Sequence, residues 1–117
     1  MRHLAILFVL ITALAAACGS DDNAATGLCA ENGVTATILE NHPNGSHILV
    51  VPVEDVAAGV EKTYDIQGNN TGHGHFVTVS VDDFADLDAG TVVMLTSSDT
   101  GAAGMDHMHP VTLSCNP

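Results

Sequence analysis

The chain of 117 residues has no tryptophan, one tyrosine and three phenylalanines. A cleft that stacks sugar rings on aromatic faces has nothing to be built from. Basic residues are as scarce: Arg2 and Lys62 stand against 14 acids. A field of that sign excludes nucleic acid as a partner, since phosphate binding needs clustered Lys and Arg. It excludes charge-driven binding to anionic lipid for the same reason, and it concentrates cations. Enzyme signatures are also missing. No serine or cysteine sits in a nucleophile motif, no carboxylate pair has a recognisable catalytic setting, and no glycine loop leads into a helix to cradle phosphate. Redox chemistry at a bound transition-metal ion is not excluded by these absences.

Long apolar runs are confined to the N-terminus. "MRHLAILFVLITALAAAC" has a cationic start at Arg2, an uncharged apolar stretch from Leu4 to Leu14, and three small residues before Cys18. That is the pattern of an export signal over 1–17, too short to be a spanning helix with proper flanks. Its end, "LAAAC", resembles the lipobox of bacterial lipoproteins, in which a cysteine after small residues is lipidated and becomes the new N-terminus. Leu14 stands four residues before Cys18 where the lipoprotein pattern has its leucine three before, so plain secretion is the alternative. The resemblance implies a lipid on Cys18 and attachment to a membrane. Because Gly19 and not Asp follows the cysteine, it further implies an outer-membrane or cell-surface location where the host has an outer membrane; an unlipidated chain would be periplasmic or secreted. Residues 18–28 then comprise the anchor and a flexible tether, "GSDDNAATG", which spans roughly 15 to 18 Å root-mean-square. With Arg2 removed, Lys62 is the one base against fourteen acids, a formal net of minus thirteen.

Cysteine is scarce as well, at three. Setting Cys18 aside leaves Cys29 and Cys115 as an even pair at the two ends of a domain over 29–117. In an oxidising compartment they are expected to be bridged; two buried thiols are the alternative.

What the domain does contain is period-two alternation rich in Val, Ile and Thr. It appears at "VTATILE" (34–40), "HILVVPV" (47–53), "KTYDIQ" (62–67), "HFVTVSV" (75–81), "TVVMLTS" (91–97) and "HPVTLSC" (109–115). Six short strands are predicted from it. "EDVAAG" (54–59) and "DDFADLDAG" (82–90) predict single helical turns with acidic starts and glycine ends. The expected class is all-β, a small sandwich or barrel. An internal repeat runs through these segments. "HILVVPVEDVAAGVEKTYDI" and "HFVTVSVDDFADLDAGTVVML" share a histidine, a strand, an acidic turn, a glycine and a second strand, and a third copy, "HPVTLSC", is cut off by the terminus.

Each copy begins with histidine. In an up-and-down succession the second, fourth and sixth strands run the same way, so the histidines gather at one end and the acidic turns at the other. Side chains alternate along a strand, so His73, His75, Val77, Val79 and Val81 share a face, as do His107, His109, Val111, Leu113 and Cys115; His47 goes with Leu49, Val51 and Val53. The histidines continue the core-facing columns. Same-face neighbours stand roughly 7 Å apart, close enough for two imidazoles to reach one ion at about 2.0 to 2.1 Å. The HxH pairs His73/His75 and His107/His109 are the primary candidate metal ligands. His47 and His42, which flank the "PNGS" turn, are auxiliaries, and Met105 is a soft donor of the same parity as His107 and His109. Asp106 is read as a solvated or outer-shell carboxylate, Met108 as pointing away, and Met94 as core. Imidazole suits copper and zinc; copper comes first by affinity order, with Met105 acceptable to Cu(I), and zinc second.

The HxH pair looks like the cupin motif, but Val79 and Ser80 occupy the region where cupins have a glutamate. The exported, His-rich, Met-bearing character is similar to copper-binding β-sandwich proteins, although the cupredoxin cysteine beside a histidine has no counterpart here. The expectation is therefore an exported metal-binding protein for copper or zinc sequestration, buffering or delivery. The alternative is a structural or adhesion domain with incidental or pH-sensing histidines.

Overall fold

The computed structural model describes residues 27–39, 46–69, 72–99 and 106–117. Cys18, His42 and Met105 lie outside the described residues. The elements in chain order are α1 (Leu28–Asn32), β1 (Val34–Ile38), α2 (Val53–Ala58), β2 (Lys62–Asp65), β3 (Phe76–Val79), α3 (Val81–Asp88), β4 (Val93–Thr96) and β5 (Pro110–Cys115). Five strands form two antiparallel sheets, ordered β1-β5-β4 and β2-β3. The fold is a small mixed α/β globule and not a closed barrel, so the all-β expectation fits only in part. No described helix is long and apolar enough to cross a membrane.

Two departures have local causes. Residues 47–51 keep the predicted alternation, buried at His47, Leu49 and Val51 and exposed between them, yet they form no strand. Among the described residues the segment's backbone bond is Ile48 N–H to the Ile66 carbonyl at 3.2 Å, and Pro52 has no N–H to extend a ladder. Alternating burial follows from an extended chain lying on a core; strand assignment needs a partner as well. The helix α1 is five residues long and has no apolar period to reveal it. Its tertiary docking and the Gly33 N–H bond to the Cys29 carbonyl at 2.9 Å hold it.

The repeat explains the architecture. In the first copy the 47–51 segment leads into α2 and then β2; in the second, β3 leads into α3 and then β4. The third copy is not cut off. β5 ends at Cys115, which is joined by a disulfide to Cys29 in α1, and α1 leads into β1. Extended segment, helix and strand thus occur three times, the third time across the chain termini. The three helices pack on one another, and β5 lies antiparallel to β1 with Val34 opposite Cys115 and Ile38 opposite Val111. The helices and the bridge consequently occupy one pole and the heads of the extended segments the other. An up-and-down meander would have reached the same polarity within a single sheet; here it arises from three similar units.

Each helix is fixed by its own boundary residues. Ser80 caps α3: its Oγ accepts from Asp83 N–H at 3.2 Å while Asp83 Oδ2 accepts from Ser80 N–H at 2.9 Å. Gly59 ends α2 in the left-handed conformation at φ 58. Lys62 Nζ lies 2.9 Å from Asp55 Oδ1, and the Tyr64 hydroxyl donates to Asp55 Oδ2 at 2.9 Å, tying α2 to β2. The Lys62 contact is the main reason the Asp55 carboxyl is held below its ordinary range. Between the poles lie Val51, Val56, Ile66, Val77, Val79, Phe84, Leu87, Val93, Val111 and Leu113, all buried.

Gly68 closes the loop after β2 at φ 61, and a Cβ there would stand 2.5 Å from the Ser46 carbonyl oxygen and 2.9 Å from Ile48 N, the two residues flanking His47. Gly68→Ala is expected to lower stability by roughly 1–2 kcal/mol from the left-handed backbone alone, and to displace His47. Urea denaturation read alongside metal affinity checks this. A variant equal to its parent in both would show that this contact does not position His47.

Candidate metal centre

The histidine pole is built from strand ends. Ser97 N–H bonds the His109 carbonyl at 2.9 Å and Ser98 N–H bonds the Phe76 carbonyl at 2.7 Å, so the chain leaving β4 passes from β5 to β3 and joins the two sheets. Ile66 N–H bonds the His75 carbonyl at 2.9 Å on the other side. Alternation then carries His47, His75 and His109 inward, above Leu49, Val77 and Val111. They are 3 %, 0 % and 1 % exposed, while His73 and His107 are half-buried.

Each buried ring is held in the same way. His47 Nδ1 lies 3.0 Å from the Ile66 carbonyl, His75 Nδ1 2.6 Å from that of Ser98, and His109 Nδ1 3.1 Å from that of Leu39. These carbonyls stand one or two residues beyond the ends of β2, β4 and β1, so every unit's outgoing strand orients that unit's own histidine. A carbonyl oxygen only accepts, so the hydrogen sits on Nδ1 in all three rings and the Nε2 lone pair faces the other histidines. Such an outer-shell hydrogen bond is what fixes the tautomer and orientation of metal-bound imidazole. The Nε2 atoms of His47 and His109 are buried.

One ligand nitrogen from each of His47, His73, His75, His107 and His109 lies within 4.8 Å of all the others. His75 Nε2 and His107 Nε2 are 3.3 Å apart. Two nitrogens on one ion at 2.0–2.1 Å stand about 3 to 4 Å apart, depending on the angle between them, so a cluster that fits within 4.8 Å is slightly wider than a single ion's coordination sphere and closes onto one ion with a small inward movement of the rings. The donors are imidazole nitrogens, with no carboxylate or thiolate in the group among the described residues. That set suits transition ions and not calcium or magnesium, which take oxygen. Burial is the main reason the His47 ring ionises below its ordinary value; the Ile66 carbonyl opposes the shift, and repulsion from His109, His75 and His73 adds to it.

The structure therefore brings together five of the residues singled out in the sequence. Cys115 is in the disulfide and is no ligand. Met108 and Asp106 are exposed. Met94 is exposed at 79 %, which corrects its reading as core: Val93 and Leu95 turn inward on β4, and the residue between them turns out. The carbonyls of Leu39, Ile66 and Ser98 were not legible, because every residue carries one. Ser97 did leave a signal, a polar side chain on the inward parity of its strand. It is 3 % exposed, and its Oγ accepts from His109 N–H at 2.9 Å.

No protein-family model matches the chain, and neither does any curated protein or solved structure at a significant level.

Proposed function

We propose that this protein binds a transition-metal ion in the cell envelope, copper first and zinc second, for sequestration, buffering or delivery. The observation that carries the reading is the convergence of five imidazole nitrogens within 4.8 Å. Burying three imidazoles at strand heads removes them from water at a cost, and coordination by Nε2 is the interaction that their fixed tautomers prepare. Copper leads because the affinity order of divalent ions for a nitrogen site peaks there. Protein produced from the full chain without an affinity tag is expected to take up one Cu(II) or Zn(II) per chain in an equilibrium titration with elemental analysis. Uptake of neither would reject the reading and leave a structural domain with incidental histidines.

The envelope location rests on the export segment and the lipobox-like "LAAAC". Cys18 is proposed as the lipidated N-terminus, with the acidic tether holding the domain off the membrane. Cys18→Ser is expected to move the protein from the membrane fraction to the soluble fraction. A wild-type chain found soluble with an unmodified N-terminus would remove the anchor from the proposal without touching the metal site.

A further inference from the structure

The five rings are not packed at random. The three buried ones form a nearly equilateral triangle, with centroids 4.8 Å apart for His47 and His75, 4.7 Å for His75 and His109, and 4.7 Å for His47 and His109. This is the local expression of the three repeated units. The two half-buried rings each lie against two members of that triangle. His73 lies 5.3 Å from His47 and 5.1 Å from His75; His107 lies 4.8 Å from His75 and 5.0 Å from His109; and the two are 4.9 Å from each other.

Position over an edge or over the centre separates two coordination geometries. In a tetrahedral site a fourth ligand stands over the centre of the triangle made by the other three. In an octahedral site the second set of ligands stands over the edges. His73 makes ring contact with His47 and His75, and His107 with His75 and His109; read as edge positions, these contacts assign the five rings to five of the six octahedral directions, with His107 across from His47 and His73 across from His109. Each of these diagonals joins a buried ring tied by its Nδ1 to a carbonyl with a ring at the mouth of the site.

We infer that the site is specific for a divalent ion of octahedral or tetragonal preference, Cu(II) or Ni(II), and discriminates against Cu(I) and against Zn(II). This rests on the metal-binding reading above and selects within it. Tetragonal nitrogen sites are the chemistry of Cu(II) and Ni(II), and Cu(I) is drawn to softer donors. Zn(II) has no geometric preference from its filled shell, and in protein sites it closes with four ligands. A chain that holds five imidazoles along octahedral directions gives Zn(II) no tetrahedron to occupy and gives Cu(II) and Ni(II) the arrangement they favour.

Co(II) loaded into the full, untagged protein reads the geometry directly, because its visible absorption is weak in octahedral fields and intense in tetrahedral ones. Weak bands are expected, together with displacement of Zn(II) by an equal concentration of Ni(II), and tighter binding of Cu(II) than of Cu(I) in chelator competition. His73→Ala and His107→Ala, both at half-buried positions, are each expected to weaken Ni(II) binding at least about tenfold, a loss that even an outer-shell partner typically produces. Intense tetrahedral bands, Zn(II) retained against Ni(II), tighter binding of Cu(I) than of Cu(II), or unchanged Ni(II) affinity in both variants would overturn the inference while leaving metal binding intact. Binding of no ion at all would overturn the underlying reading as well.

Discussion

Saturating the histidine centre with Cu(II) at pH 7.5 is expected to raise the melting temperature by roughly 15–30 °C. An ion that binds only the folded state adds about 4 kcal/mol at a free concentration a thousand times its dissociation constant. In a domain of under a hundred residues each kcal/mol moves the midpoint by about 4–8 °C. The large effect follows from where the ligands come from: His47, His73 and His75, and His107 and His109 belong to the three repeated units, so one ion ties together all three. A His75→Ala, His109→Ala double variant removes two corners of the buried triangle and is expected to lose most of the shift. The comparison is a thermal melt with metal and with EDTA for both proteins. A wild-type melt indifferent to every metal, or a variant that responds as strongly as its parent, rejects the centre.

Acid should weaken the same state by two routes. His47 is disfavoured in its charged form by burial above all, so its ionisation in the folded state lies below that in the unfolded chain. The stability this contributes is fully present above the unfolded value of about 6.5 and is lost as pH falls through the folded value. Protons also compete with the ion for Nε2. In EDTA only the first route operates, so the metal-free melt should fall between pH 7.5 and 5.0, and His47→Ala should flatten that fall. The metal-loaded melt should fall further over the same interval.

How much of this was legible depends on which physical property each feature expresses. Period-two alternation reports which side chains face inward, and in "GHGHFVTVSV" and "DHMHPVTLSC" it reports correctly: His75, Val77 and Val79 are buried, as are His109, Val111 and Leu113. The columns end where helices begin, and Val53 and Val81, at the first positions of α2 and α3, are exposed. Alternation does not report hydrogen-bond partners, and so it could not show that 47–51 lacks a ladder or that β2 and β3 form a sheet of their own. The repeat was visible twice, in 47–66 and 75–95. The third copy showed only its first strand, because its helix and second strand precede that strand in the chain, and only the disulfide restores their order. The arrangement of the five rings, from which octahedral coordination is inferred, was hidden too, since it depends on how three units meet and no single unit contains it.

Opening that disulfide is the second large effect expected. The Cys29–Cys115 bridge spans 86 positions, and on the chain-entropy model closing a loop of that length contributes about 4 to 5 kcal/mol. Total stabilities of small domains are about 5 to 15 kcal/mol, so a Cys29→Ser, Cys115→Ser variant without metal should lie near its unfolding threshold at 25 °C. The folded site should survive the change. His109 and Cys115 are separated by the six residues of β5, about 20 Å of strand, and the five register pairs between β1 and β5 hold the third unit together beside the bridge. Metal and bridge therefore stabilise the same fold from opposite poles, and effects at well-separated sites add. Cu(II) should raise the melting temperature of the variant by about as much as it raises that of the parent, returning the protein to the stability of the bridged, metal-free form. Melts of both proteins with and without the ion complete the cycle. A variant as stable as its parent would show that the bridge does not constrain the unfolded chain as argued, and a variant that metal fails to rescue would show that the triangle of histidines depends on the bridge to bring the third unit into place.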